Sequence, residues 1–176
     1  RFGFGAVADD GGRLYAVQMF AGPGEPRRSE GAPQPRPIDA DAQLDLLVAL
    51  ANQRRSTLGL PPLKASPSLS IAAGTLVLRR TGADLAGVGE IPSDEVLGAV
   101  PRDDRGFWQA MSLLVGECGG CGRLPTDADL RFFAERWLGA GRPGGLVDPE
   151  ATHLGFALSS DGDGKKTALA VIGIGR

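Results

Sequence analysis

Histidine is nearly absent: His153 is the only one in 176 residues, and cysteine occurs twice, at Cys118 and Cys121. A zinc site built on that cysteine pair needs two further ligands, and one imidazole does not supply them. Basic blocks are missing too. The densest positive charge is a pair such as Arg79-Arg80, and the formal net charge is -2. Phosphate binding needs a concentrated basic face, so nucleic acid is excluded as the main partner. No apolar run approaches the roughly 18 residues of a membrane span, so no transmembrane segment is expected. No leader-like stretch opens the chain, which starts at Arg1 rather than Met. It reads as processed or trimmed, with targeting information removed.

What is abundant is glycine and proline, 27 and 13 residues, which predicts many turns and long loops rather than long helices. Hydrophobic content of 42% and charged content of 23% are ordinary for a globular chain long enough to bury a real core in one domain.

The two ends look alike. Gly3 to Phe20 reads "GFGAVADDGGRLYAVQMF", and Gly155 to Gly175 reads "GFALSSDGDGKKTALAVIGIG". Each is an apolar Gly-Phe start, an Asp/Gly-rich turn and a second apolar arm. The turns supply residues that tolerate positive φ, as hairpins require. In the first hairpin, Leu14, Ala16, Gln18 and Phe20 alternate with Tyr15, Val17 and Met19, so the second arm is expected to be covered on both faces. After it, five prolines fall among small and charged residues between Ala21 and Ile38. That stretch reads as a linker or surface strap.

Helical signals fill the middle. Asp39 or Asp41 caps a segment with Leu44, Leu47, Val48 and Ala51 at helical spacing, ending near Gly59. Ser66-Pro67 reads as cap and first helical residue, followed by Leu69, Ala72, Ala73, Leu76 and Val77 and closed by Gly82. Ala83 to Gly106 is loop-like with a short helix after Ser93. Phe107 to Val115 is apolar throughout, and its periodicity fits strand and helix equally. Thr126 to Asp129 resembles a capping box with Asp in place of Glu, and Leu130, Phe133, Ala134 and Trp137 make the next apolar stripe. Helices in the middle and antiparallel strands at the ends give an α+β class.

Leu46 to Ala73, "LLVALANQRRSTLGLPPLKASPSLSIAA", resembles the CAP superfamily (cysteine-rich secretory, antigen 5 and pathogenesis-related 1 proteins) of bacterial type. The resemblance rests on Asn52 and Arg55, on the turn Gly59-Leu60-Pro61-Pro62-Leu63, and on Leu69 with Ala72-Ala73. Val115 to Gly122 resembles the family's Gly-Glu-Asn segment, with Cys118 where Asn is usual. Phe132 to Pro149 resembles its Trp-ended helix and following loop, and the last hairpin its closing hairpin. The resemblance implies an α-β-α sandwich with a small antiparallel sheet over residues 38–176. Residues 1–22 resemble the closing hairpin of a preceding CAP-like unit, joined by a Pro-rich linker over residues 23–37. That hairpin is expected to pair with or pack on the second unit's sheet.

Many CAP proteins line a cleft with two histidines and two acids, sometimes holding a divalent metal. The first histidine position falls on Thr75 and the second on Pro143. Glu117 matches one acid and Glu135 is a candidate for the other. The resemblance therefore implies a dismantled cleft, no metal and no cofactor. His153 lies outside the family's histidine positions: a surviving ligand or general base, or a loop residue at a strand start. Glu117 is either a general acid or a structural acceptor for loop amides. Glu135 reads as a helix-surface charge. Phe107-Trp108 and Phe132-Phe133 line either a lipid cleft or the core.

For Cys118 and Cys121 three readings stand: a redox dithiol, half a zinc site, or a local disulfide, which the tight Gly119-Gly120 turn permits. The disulfide is the expected state. The function this implies is an exported, extracytoplasmic CAP-like binding or structural module for a protein, lipid or cell-envelope ligand. The alternatives are a hydrolase using Glu117 and a thiol redox protein using Cys118 and Cys121.

Overall fold

The computed structural model describes residues 2–8, 11–20, 35–80, 93–139 and 144–176. Two compact units divide the chain, residues 1–34 and 35–176. The first holds β1 (Phe2–Ala8) and β2 (Leu14–Phe20), paired antiparallel from Phe2↔Phe20 to Ala8↔Leu14. Gly12 sits at φ 78° in the turn. Whether the second arm is covered on both faces is not decided within this unit, and the side chains of Leu14, Tyr15, Gln18, Met19 and Phe20 lie outside those described. Within it, Val17 is 61% exposed and Val7 on the same face is 66% exposed; a two-stranded ladder by itself supplies no layer over its own apolar side chains.

The second unit runs α1 (Ala40–Thr57), β3 (Lys64–Ala65), α2 (Pro67–Arg80), α3 (Ser93–Ala99), a 3-10 turn (Arg102–Phe107), β4 (Trp108–Cys118), α4 (Asp127–Gly139), β5 (His153–Ser160) and β6 (Lys166–Gly175). Local signals place the helices. Asp39 caps α1 by accepting Ala42 N–H at 2.9 Å. Ser66 Oγ accepts Leu69 N–H at 3.3 Å and caps α2. Thr126 and Asp129 form the expected reciprocal box: Asp129 Oδ2 accepts Thr126 N–H at 2.7 Å, and Thr126 Oγ1 accepts Asp129 N–H at 3.4 Å. Despite the glycine-rich composition, α1 extends over 18 residues, since no glycine or proline falls within it.

The sheet order is β3-β5-β6-β4. β4, β5 and β6 pair antiparallel, while β3 adds a two-residue parallel edge through Lys64↔His153 and Ala65↔Leu154. The expected antiparallel sheet is therefore mixed at one edge. Central β6 is covered on both faces. Ala168, Ala170 and Ile172 join Leu47, Ala51, Phe133 and Trp137 in one core layer. Leu169 and Val171 join Leu69, Ala72, Leu76 and Val100 in the other. Helices α1 and α4 cover the first face and α2 and α3 the second, which makes an α-β-α sandwich. Two glycines set its tightness. A Cβ on Gly155 would stand 2.2 Å from Leu69 carbonyl carbon, and one on Gly116 would stand 2.6 Å from Phe133 Cδ1.

Candidate functional site

The strand register decides where each expected site residue lies. On β4, Gly116 and Cys118 face the α1/α4 layer, while Val115 and Glu117 face the α2/α3 layer. Glu117 is opposite Thr167 across the ladder. Its Oε1 lies 3.5 Å from Lys165 Nζ, and that oxygen is shielded from solvent without a hydrogen-bond partner among the described residues. Glu135 is exposed on α4, on the other side of the sheet. Thr75 lies on α2 with its hydroxyl donating to Ile71 O at 2.9 Å, so its polar atom serves its own helix. Pro143 lies outside the described residues. The fold thus separates Glu117 from Glu135 by a full layer, and the sheet face at Gly116 is filled by Phe133 and Trp137. A two-acid metal cradle does not fit these residues, so no step through a metal follows.

His153 is ordered by its neighbour. Thr152 Oγ1 donates to Gly173 O at 3.0 Å and accepts Gly175 N–H at 2.9 Å. The same hydroxyl lies 2.8 Å from His153 Nδ1 and fixes the orientation of the ring. Phe107 and Trp108 contact the ring edge-on at 5.5 and 5.3 Å between centroids. Partial burial, and secondarily Lys64 on the neighbouring strand, hold the imidazole's pKa below its usual value. The histidine is a packed residue at a strand start, as one of the two sequence readings has it.

Beside the loop that follows α4, Ala110, Met111, Ser112, Gly144, Asp148, Ala151, Ile172 and Ile174 line a cavity of about 100 Å³. Ser112 Oγ donates to Gly144 O across it, and Asp148 Oδ2 accepts Gly144 N–H at 2.6 Å. The cavity's polar groups are largely engaged, and its wall is otherwise aliphatic.

Cys118 and Cys121 are joined in a disulfide. Sequence reasoning missed what stands beside it. Lys166 is fully buried and pairs with Asp129 at 2.5 Å. Lys166 Nζ also donates to Cys121 O at 2.6 Å, and Asp129 Oδ2 accepts the Thr126 hydroxyl at 2.7 Å. The two sulfurs and an Asp129 oxygen lie within 4.8 Å of one another. Both sulfurs are consumed by their bond, so the trio as it stands is not a cation site. The one available signal was a lysine opening a strand that is otherwise apolar.

No family model matches the sequence, and no curated protein matches it. Solved structures do resemble its fold. An outer surface protein of Borrelia burgdorferi is 14% identical, with TM-score 0.59, over 81% of this chain and 100% of that one. The crystal structure of NaASP2 with Zn2+ is 8% identical, with TM-score 0.56, over 81% and 83%. The CAP domain of enterococcal PrgA is 17% identical, with TM-score 0.51, over 79% of this chain and 64% of that one. The fold is CAP-like.

Proposed function

We propose that this chain is an extracytoplasmic CAP-like module that works by binding rather than by cleft catalysis. The observation that carries the reading is the placement of Glu117 and Glu135 on opposite sides of the sheet, with Thr75 tied to its own helix. Hydrolysis at the CAP cleft needs an acid and a partner converging on one bond, and these residues do not converge. On this reading, recognition falls to a surface that meets a protein or cell-envelope polymer. The location is inferred from the fold likeness to an outer surface protein. No helix among the described residues is long and apolar enough to cross a membrane.

The test uses the whole chain, purified peptidoglycan, and peptide and ester substrates. Sedimentation with peptidoglycan is expected, it should survive Glu117→Gln, and no substrate should be turned over. Turnover that a folded Glu117→Gln variant abolishes would overturn the binding reading and restore the hydrolase one.

A further inference from the structure

The Cys118–Cys121 bridge duplicates restraints that its loop already has. Cys121 N–H donates to Gly164 O at 3.0 Å, and Cys121 O accepts Lys166 Nζ at 2.6 Å. Just beyond, Ser160 Oγ donates to Arg123 O at 2.7 Å. Closing so short a loop restrains little chain entropy. A covalent bond that adds this little to the fold is open to another use.

Its surroundings are polarised. Cys118 is the buried end, 8% exposed, while Cys121 is the more accessible one. Directly across the β4–β6 ladder from Cys118 stands Lys166, on the same face of the sheet and fully buried. Opposed residues on neighbouring strands hold their side chains within about 5 Å at Cβ. An ammonium has three N–H donors. Among the described residues two are spent, on Asp129 and on the Cys121 carbonyl. The Asp129 carboxylate, with an oxygen within 4.8 Å of both sulfurs, opposes a thiolate there, but its charge is met by the Thr126 N–H and hydroxyl as well as by Lys166. Glu117 and Lys165 face the opposite side of the sheet.

We infer that this bridge is an exchangeable redox disulfide that oxidises small or peptidyl thiols, entered at Cys121 and with Lys166 receiving the thiolate at Cys118. In the first step a substrate thiolate attacks Cys121 Sγ. The new sulfur–sulfur bond forms as the Cys118–Cys121 bond breaks, and its electron pair leaves with Cys118 as a thiolate on the sheet position opposite Lys166. In the second step another substrate thiolate attacks the substrate sulfur of the mixed disulfide. A substrate disulfide departs, and Cys121 leaves as a thiolate that takes a proton from solvent. Two thiols lose two electrons and the bridge gains them. A disulfide-bearing oxidant restores the bridge by the same exchange run backward. Lys166 acts here as a positioning residue.

Reduced glutathione is the probe, on the full chain, with acid quenching, alkylation and peptide mass mapping. The expected early product carries glutathione on Cys121 and an alkylated Cys118. A bridge that stays closed in excess glutathione, or an adduct on Cys118, would overturn the inference. Lys166→Met is expected to slow the first step at least ~3-fold by raising the leaving thiol's pKa and to lower the thiolate absorbance of the reduced protein at neutral pH. Lys166→Arg should restore both. Unchanged rate and absorbance in a folded Lys166→Met protein would also sink it. If that variant does not fold, the position of the wild-type adduct decides alone.

Discussion

Asn52 and Leu63 exchange two hydrogen bonds, Asn52 Nδ2 donating to Leu63 O at 2.9 Å and Leu63 N–H donating to Asn52 Oδ1 at 2.7 Å. A side-chain amide thereby takes the place of a strand partner for the Pro61-Pro62-Leu63 turn. Three residues on, fully buried Arg55 donates to the carbonyls of Pro61, Leu146, Asp148 and Ala151 at 2.6 to 3.1 Å. Burial lowers its pKa, and Asp148 opposes that shift. The Asn-x-x-Arg pattern is thus a clamp that joins α1, the proline turn and the loop before β5.

Removing the clamp should unfold the second unit early. Asn52→Ala should cost about 2 kcal/mol, since it leaves the Leu63 amide and carbonyl without partners. Arg55→Met should cost about 3–5 kcal/mol by stranding several buried carbonyls. Arg55→Lys should recover only part of this, because three ammonium protons do not replace a guanidinium fork making four bonds. Urea unfolding checks the series, and an Arg55→Met midpoint equal to wild type would contradict it.

Gly155 is a close-approach position. Any Cβ there overlaps the α2 backbone at Leu69 and Ser70, which a flexible side chain cannot relieve. Gly155→Ala is expected to cost about 3 kcal/mol or more through forced separation of α2 from β5. Gly98→Ala, where nothing lies within 4 Å of the added atom, should be neutral or mildly stabilising. Thermal melts of the two variants side by side test whether packing, rather than glycine content, sets the cost.

His153 gives a pH signature. Its folded pKa is lowered, by partial burial first and Lys64 second, so the unfolded chain binds the proton more readily. The contribution to stability is therefore full above the unfolded value of about 6.5. It falls as pH drops through that value toward the folded pKa. His153→Gln should flatten the stability profile in that window while leaving the loss at lower pH, where carboxylates protonate. An identical slope in both proteins between pH 7 and 5.5 would refute the assignment.

Zinc added to the oxidised protein is expected to give no stoichiometric heat of binding at micromolar concentrations. The set of potential ligands gathered among the described residues has both sulfurs bonded to each other and its carboxylate bonded to Lys166 and Thr126. Isothermal titration checks this, and a one-to-one isotherm tighter than about micromolar would restore a metal-dependent role.

The sequence by itself determined what depends on neighbours along the chain. Asp39, Ser66 and the Thr126–Asp129 box start helices through hydrogen bonds spanning three residues, so their signals survive without a fold. The hairpin turns and the helical stripes are local for the same reason. Only the tertiary structure decided that residues 108–118 are a strand, because apolar layers cover both of its faces and erase the alternation that marks a half-exposed strand. Sidedness was equally hidden. A single step of strand register puts Glu117 toward α2 and α3 and Cys118 toward α4, and the sequence does not say which helix will cover which face. The pairing of Lys166 with Asp129, 37 residues apart, follows from that choice. It brings a buried charge to the disulfide only once β6 lies between β4 and β5 with α4 packed above.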